Sequence, residues 1–224
     1  MSDSTAVRTP SQAYADGVAA GRWRDDPAQH PALRELDRVQ RELLAATPTG
    51  LLARFGLGAR PAPVRGLYLW GGVGRGKTFL VDLFYDGLPL EQKQRTHFHR
   101  FMRGVHEQLR LHAGQSDPLA AIARQWRGTL RVLVLDEFFV TDIGDAMLLG
   151  RLLERLFAEG ITLVTTSNTA PQNLYKDGLQ RESFLPAIAQ LRQHCVELAA
   201  DGREDYRLRA LTRSPVYRQP LDAD

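Results

Sequence analysis

Eight consecutive residues have the types and the spacing of a phosphate-binding loop. They follow the pattern G-x-x-x-x-G-K-T and are Gly71, Gly72, Val73, Gly74, Arg75, Gly76, Lys77 and Thr78. The glycines let the backbone curl so that its N–H groups point inward at phosphate oxygens. The Lys77 ammonium can reach the β- and γ-phosphates of a nucleotide, and the Thr78 hydroxyl can bind Mg²⁺. The pattern therefore predicts a site for a phosphorylated nucleotide.

Two carboxylates follow an apolar segment further along the chain. Asp136 and Glu137 come directly after 132–135, which is Val-Leu-Val-Leu. A parallel strand that ends in Asp-Glu places a carboxylate at the edge of the sheet where open α/β sheets bind ligands. We expect Asp136 to hold Mg²⁺ and its waters, and Glu137 to orient or polarise an attacking water. This arrangement suits hydrolysis better than transfer to a bound acceptor.

Asn168 and Arg181 are further candidates, with less support from their local sequence. Asn168 ends the apolar segment 161–167 and is expected near the γ-phosphate, where it can position the same water; a loop-capping asparagine is the alternative. Arg181 lies between apolar residues in 178–186. Because arginine is abundant in this chain, the local sequence alone indicates a solvated arginine at position 181.

The stretch 93–106 interleaves basic residues and histidines with aromatic residues. This pattern is compatible with nucleic-acid binding. A structural or oligomer-contact role explains it at least as well, because a strand followed by a helix produces the same alternation. Metal binding by His97 and His99 is the weakest interpretation, since no acidic residue or cysteine lies nearby at a ligand spacing.

Short apolar runs alternate with helix-length segments from Val64 onward. The predicted strands are 66–70, 95–99, 131–135, 161–166 and 195–198, and the predicted helices are 77–85, 101–112, 118–127 and 142–158. This alternation predicts an α/β fold with a parallel sheet covered on both faces. We divide the chain into an N-terminal arm and helix (1–63), a core (64–200) and a C-terminal hairpin or tail (201–224).

Composition narrows the class of protein. The chain has 224 residues, of which 43% are hydrophobic and 25% charged, values that exclude wholesale disorder. The formal net charge is +3, too small for a dedicated nucleic-acid binder. A single cysteine, Cys195, excludes an internal disulfide framework and a cysteine-cluster zinc site. With no secretory signal and no apolar run of membrane-spanning length, we expect a cytoplasmic location.

Taken together, these motifs resemble AAA+ ATPases and, more narrowly, the ZapE cell-division ATPase family. The matching segments are 64–78, 82–85, 97–102, 136–143, 166–168 and 173–181, and the likeness extends from about Asp26 to Leu221. The resemblance implies a P-loop AAA+ core. The sequence pattern itself predicts the rest of the architecture: a five-stranded parallel sheet flanked by helices, an N-terminal helical arm and a short C-terminal hairpin.

The resemblance also implies a role for each matching residue. ATP and Mg²⁺ would be the cofactors, with Lys77 and Thr78 on the phosphates and the metal, Asp136 on the metal, Glu137 on the water and Asn168 as a sensor. Arg181 would be the arginine finger offered to the ATP of a neighbouring subunit. Gln29 matches a family glutamine ahead of the N-terminal helix and would lie near the adenine.

The partners implied by the resemblance are those of a division protein. They are FtsZ, whose polymers such an ATPase would remodel or destabilise, and further copies of the chain, with active sites between subunits. Recruitment to the division septum and peripheral membrane contact are compatible with this role, although no lipidation signal is present. Family members continue into a helical lid, for which the residues after Leu211 offer no matching segment.

Alternative functions remain open at this point. One is an AAA+ helicase-loader-like protein that uses the basic stretch from His97 onward on nucleic acid. Another is a nucleotide-dependent binding module with little turnover. A small-molecule phosphotransferase is the weakest alternative, since Glu137 directly follows Asp136 and no acceptor-binding motif is present.

Overall fold

Five strands form one parallel sheet in the computed structural model, which describes residues 7–46 and 63–200. They are β1 (Gly66–Trp70), β2 (Lys93–His97), β3 (Val132–Asp136), β4 (Thr162–Ser167) and β5 (Cys195–Ala199). Their order across the sheet is β2-β3-β4-β1-β5, and every pair is parallel. All residues of β3 and β4 are buried, as expected for central strands covered on both faces. The predicted five-stranded parallel sheet is confirmed.

Helices cover both faces of this sheet. They are α1 (Pro10–Ala19), α2 (His30–Ala45), α3 (Lys77–Gly87), α4 (Phe98–Leu111), α5 (Pro118–Arg127), α6 (Ile143–Ala158) and α7 (Leu185–His194). Short 3-10 helices occupy Pro27–Gln29, Pro171–Asn173 and Arg181–Phe184. The buried apolar residues divide into two clusters, one shared by the sheet with α4 to α7 and the other by the sheet with α1 to α3. The phosphate loop therefore joins a central strand to a helix of the second cluster.

The junction between β2 and α4 differs most from the sequence prediction. The second strand is Lys93–His97 rather than 95–99, and α4 begins at Phe98. Phe98 is buried together with Phe101, Met102 and Val105, so it belongs to the helical period rather than to the strand. At the N-terminus, α1 begins inside the predicted arm, where Thr9 and Gln12 form a reciprocal capping box.

Parts of the prediction lie outside the described residues. These are the C-terminal hairpin or tail (201–224) and, within the N-terminal region, residues 1–6 and 47–62. None of the helices found within 7–46 and 63–200 combines the length and the apolarity that a membrane crossing needs.

Candidate functional site

The predicted phosphate loop connects β1 to α3 and depends on glycine backbone geometry. Gly74 and Gly76 have φ angles of 80° and 77°, in the left-handed region that glycine tolerates best. Gly76 directly precedes α3, so the loop ends at the positive end of the helix dipole. A side chain at Gly71 would approach the carbonyl oxygen of Ala200 to 2.8 Å. The loop is thus confined against the residue that follows β5.

Lys77 is buried against its own loop. Its side-chain nitrogen donates to the carbonyl oxygens of Gly71 at 2.7 Å and Gly72 at 2.8 Å. The same nitrogen donates to Oδ1 of Asn168 at 3.1 Å, so the lysine links the loop to the end of β4. The lysine and the asparagine predicted to meet the γ-phosphate are therefore in direct contact.

Strand β4 lies between β1 and β3 and connects the loop to the carboxylate pair. The amide of Gly71 donates to the carbonyl of Ser167 at 3.1 Å, and the amide of Phe138 donates to the carbonyl of Thr166 at 2.7 Å. The Glu137 amide donates to the Thr166 hydroxyl at 3.1 Å. The carboxyl ends of the three strands therefore form one continuous edge, as ligand-binding α/β sheets require.

Asp136 ends β3 with a carboxylate that is only 10% exposed. Its Oδ2 accepts from Nε of Arg95 at 2.6 Å and its Oδ1 from Nη2 of Arg95 at 3.3 Å. The same guanidinium donates through Nη1 to Asp82. Burial acts to lower the pKa of Arg95, but the hydrogen bonds and charges of Asp136 and Asp82 outweigh it, so the pKa is raised. The two hydrogen bonds from Arg95 therefore hold the Asp136 carboxylate in a fixed orientation.

Glu137 differs from Asp136 in exposure and in backbone conformation. Its side chain is 75% exposed, and its φ angle of 55° lies in the left-handed region. Such a backbone costs a non-glycine residue about 1–3 kcal/mol. One carboxylate oxygen lies 3.9 Å from Nδ1 of His97 at the end of β2. The left-handed backbone at Glu137 directs its carboxylate away from the sheet and toward solvent at the cleft.

These elements enclose a cavity of about 380 Å³, which we call the phosphate-loop cleft. It is lined by residues 73–79 of the loop and α3, by Glu137 and by 166–168 at the end of β4. Thr78 is exposed there on the first turn of α3. The cleft brings together loop amides, an ammonium, a hydroxyl and a carboxylate, the groups that bind and hydrolyse a phosphoanhydride.

The N-terminal arm reaches the cleft through aromatic side chains. Phe79 lines the cleft and contacts Trp23 edge-on, with ring centroids 4.9 Å apart. Tyr14 lies 6.3 Å from the same Phe79 ring, and its backbone carbonyl accepts from the Trp23 indole N–H at 2.9 Å. The arm therefore packs beside the cleft and is part of the same folded unit.

Gln29 lies in the 3-10 helix before α2, where it is 3% exposed. Neither atom of its side-chain amide has a hydrogen-bond partner within the described ranges. Buried amides normally have partners, so this one is an unsatisfied donor and acceptor pair. Gln29 is not among the described residues that line the phosphate-loop cleft.

Arg181 begins the 3-10 helix before α7 and also does not line the cleft. Its Nη2 donates to the carbonyl of Gln172 at 2.7 Å. The preceding Gln180 has a φ of 54°, and the Tyr175 hydroxyl donates to the carbonyl of Leu179 at 3.0 Å. Its guanidinium is thus bound within this loop, and Arg181 is not among the described residues that line the cleft of its own chain.

A separate groove lies along α4, in the region that the sequence left ambiguous. It measures about 400 Å³, and its charged lining consists of Arg103, Arg110, Glu107, Asp142 and Asp145, with His99 and His106 beside them. His106 contacts Asp145 through Nε2 at 2.7 Å. Carboxylates outnumber arginines among these lining residues, so the groove gives the nucleic-acid hypothesis no support.

The donor set at the sheet edge fits Mg²⁺ held together with phosphates. Asp136 and Thr78 offer a carboxylate and a hydroxyl, the oxygen ligands that Mg²⁺ prefers. In the described part of the chain, no group of three or more His, Cys, Asp or Glu side chains is placed to hold a metal ion. Mg²⁺ commonly binds through one or two protein ligands, with water and substrate phosphates completing its shell.

Some neighbours of the cleft were not predicted from the sequence. Arg95 and Thr166 both contact Asp136, and Phe79 forms part of the wall. For Arg95 the only sequence signal is a charged residue within a strand; Thr166 lies two residues before the predicted Asn168. Their roles depend on which strands are neighbours, which the local sequence does not specify.

Comparison with known proteins agrees with the geometry of the site. The family model described as AFG1-like ATPase matches residues 8–224. Cell division protein ZapE of Escherichia coli strain K12 is 50% identical over 224 aligned residues, which cover 95% of this chain and 60% of that protein. The chain thus spans about 60% of the length of this curated relative.

Solved structures show the same fold at low sequence identity. A crystal structure of DnaI aligns with a TM-score of 0.58 and 18% identity, covering 83% of this chain and 87% of that one. AMPPCP-bound DnaA from Aquifex aeolicus aligns with a TM-score of 0.53 and 14% identity, covering 86% and 52%. At these identities the likeness concerns the fold alone, and it agrees with the predicted α/β core built on a parallel sheet.

Proposed function

The chain belongs to the AFG1-like ATPase family, and from that premise we propose that it binds ATP with Mg²⁺ in the phosphate-loop cleft and hydrolyses it. The single observation that carries this proposal is the contact of Lys77 with both the phosphate loop and Asn168, on the same sheet edge as Asp136 and Glu137. This arrangement supports a single site to which the proposed phosphate, metal and water ligands would all contribute.

Phosphate binding requires Lys77 to exchange partners. Its ammonium donates to two neutral carbonyl oxygens of the loop. A phosphate oxygen carries negative charge, so it attracts the ammonium more strongly than a neutral carbonyl oxygen does. The β- and γ-phosphates therefore compete well for this nitrogen, while the loop amides and the N-terminus of α3 supply further donors.

Mg²⁺, when bound, would neutralise charge that develops on the phosphate oxygens. Thr78 and Asp136 are the residues proposed to hold it. Glu137, exposed at the cleft, is proposed to orient the attacking water and to accept its proton. Asn168 would position the same water or the γ-phosphate through its side-chain amide.

Two more residues complete the proposed site. The buried amide of Gln29, which has no partner in the described ranges, has N–H donors on its nitrogen and an acceptor on its oxygen, the two kinds of group that an adenine edge requires, and it supports a nucleobase contact. Arg181 is proposed as the arginine finger for the ATP of a neighbouring copy, which agrees with its separation from the cleft of its own chain. The chain would then be a homo-oligomer with active sites between subunits.

The cellular role is proposed from the name of the curated relative. Because the E. coli protein is called a cell division protein, we infer that this chain also acts in division and is recruited to the septum, a role compatible with peripheral membrane contact. FtsZ, the partner implied by the sequence resemblance, is proposed as the polymer that the ATPase remodels.

The nucleotide affinity of a Lys77 variant tests the proposed ATP site. We expect Lys77→Ala to weaken binding of a fluorescent ATP analogue by about thirtyfold, since a hydrogen bond to a charged group contributes about 2 kcal/mol. Lys176→Ala, which removes an exposed lysine away from the cleft, is the matched control and should bind like the parent chain. Equal affinities for all three proteins would contradict the proposed site.

The same proteins test the division role. With Mg-ATP, the parent chain and Lys176→Ala should reduce the amount of FtsZ polymer recovered by sedimentation, and Lys77→Ala should not. A reduction that is equally large without nucleotide would refute ATP-dependent remodelling. Unchanged polymer in every reaction would remove FtsZ as the partner and leave the nucleotide site untouched.

A further inference from the structure

Arg95, on β2, has no part in the function proposed above. Its guanidinium contacts two carboxylates on two different elements, Asp136 at the end of β3 and Asp82 on α3. Nε and Nη2 bind the two oxygens of Asp136 at 2.6 and 3.3 Å, while Nη1 binds Asp82. One side chain therefore connects the second strand, the third strand and the helix that follows the phosphate loop.

This contact is more than a solvated surface ion pair. The side chains of Arg95 and Asp136 are 18% and 10% exposed, whereas Asp82 is 47% exposed. Exposed pairs contribute little because water and side-chain entropy compete with them. A forked arginine–carboxylate pair that is shielded from water has a defined geometry and fixes the orientation of the carboxylate plane.

The second carboxylate lies on the helix that carries Thr78. Asp82 follows Thr78 by four residues in α3, so both side chains project from one face of the helix, one turn apart. Asp136 and Thr78 are the two side chains proposed to hold Mg²⁺, and they belong to different elements. Arg95 binds Asp136 directly. It also contacts α3 at Asp82, one helical turn from Thr78.

We propose that Arg95 is a positioning residue for the metal, which orients the Asp136 carboxylate and sets its separation from Thr78. This inference rests on the proposed function. Each carboxylate oxygen has two lone pairs, so Asp136 can accept from Arg95 and still face Mg²⁺ or a metal-bound water. Arg95 is not among the described residues that line the phosphate-loop cleft, and its proposed effect is exerted through Asp136 and α3.

The test separates metal-dependent from metal-independent nucleotide binding. The dissociation constant of a fluorescent ADP analogue is measured in EDTA and in Mg²⁺, and the ratio of the two constants gives the affinity that the metal adds. For Arg95→Gln we expect this ratio to fall by about 10- to 100-fold, the usual cost of removing a group that orients a metal ligand. The constant measured in EDTA should stay as in the parent chain.

Three further variants sharpen the comparison. Arg95→Lys retains the positive charge but loses the fork, and should restore only part of the ratio. Asp82→Asn leaves the fork on Asp136 and weakens the link to α3, so its ratio should fall less than that of Arg95→Gln. Arg100→Gln, at an exposed arginine on α4, should behave as the parent chain does.

The outcomes distinguish this inference from the function on which it rests. If the parent chain binds no nucleotide with or without Mg²⁺, the proposed function fails. If the parent binds and Arg95→Gln retains the full ratio, only the role of Arg95 is overturned. Equal losses in EDTA and in Mg²⁺, with a lower midpoint of thermal unfolding, would indicate a purely structural contact and also overturn it. If Arg95→Gln does not fold, the other two variants decide the question. Unchanged ratios in both Arg95→Lys and Asp82→Asn would then overturn the role of Arg95.

Discussion

The two adjacent carboxylates of the site have opposite environments. Asp136 is buried in a fork of hydrogen bonds, while Glu137 turns out through a left-handed backbone and is mostly exposed. A metal ligand benefits from fixed orientation, and a group that handles water benefits from access to it. The different roles proposed for the pair, metal binding for Asp136 and water activation for Glu137, therefore follow from the backbone turn between them. Thr166 supports this turn through its contacts with both residues.

The lone cysteine provides a chemical test at the residue scale. Cys195 is fully buried, and burial raises the pKa of its thiol to about 12. We expect a disulfide reagent to leave it unmodified in the folded chain at pH 8 and to modify it fully in denaturant, since only the thiolate reacts. Above pH 9 the thiol ionises first in the unfolded state, so the stability that this group contributes is lost as the pH rises from about 9 to 12.

Ser116→Cys supplies the control for this measurement. It adds an exposed thiol in the connection between α4 and α5, away from the cleft, and that thiol should react promptly in the folded protein. If Cys195 in the parent chain reacts as fast as this exposed thiol, the described burial of β5 is wrong.

The sequence predicted the residues of the site that lie within local motifs. The phosphate loop, Asp136, Glu137 and Asn168 each follow an apolar strand, so their position at one sheet edge follows from the parallel arrangement. Arg95 was missed because its partners are 13 and 41 residues away. Only the neighbouring positions of β2, β3 and α3 bring them together, and strand order is not encoded locally.

At the scale of elements, the N-terminal arm depends on a close contact between α1 and a tryptophan. The Trp23 indole covers Gly17, where an added Cβ would lie 1.8 Å from the ring. Its indole N–H is bound to the carbonyl of Tyr14, so the ring cannot move without losing that bond. Gly17 is therefore required by packing inside a helix, where glycine is otherwise unfavourable.

A pair of glycine variants tests this packing. Gly17→Ala should destabilise the chain by about 1–3 kcal/mol, because the methyl group displaces Trp23. Gly104→Ala, in α4 with no atom within 4 Å of the added Cβ, should be neutral or stabilising by up to about 1 kcal/mol. Urea unfolding followed by tryptophan fluorescence measures both changes. If both variants raised the free energy of unfolding by a similar amount, Trp23 would not lie against α1.

The core elements that were predicted have bounds within a few residues of those in the structure, whereas α1 and α7 were not predicted as helices. The core strands and helices carry long apolar patterns, such as Val132–Asp136 and Ile143–Ala158. In α1 only Pro10, Tyr14 and Gly17 are buried, so the apolar period is weak. The capping box of Thr9 and Gln12, with Pro10 at the first helical position, is the signal that would have located it.

At the scale of the whole molecule, strand order determines where the chemistry lies. Placing β4 between β1 and β3 puts Asn168 between the phosphate loop and the carboxylate pair. Arg181 is held by Gln172 in the loop region beyond β4 and does not reach into the described cleft. A single chain thus carries the residues proposed to bind the phosphates, the metal and the water, and the proposed finger would act on the ATP of a second copy.

Hydrolysis between copies is the central claim, and steady-state phosphate release from Mg-ATP over a range of protein concentrations tests it most directly. We expect the specific activity of the parent chain to rise with concentration. Glu137→Gln should lower it by about 10²–10⁴-fold and Arg181→Ala by about 10³-fold or more, while Glu154→Gln, at an exposed carboxylate on α6, should match the parent. A parent chain that binds ATP but releases phosphate as slowly as Glu137→Gln at every concentration would contradict the account and favour a nucleotide-dependent binding module.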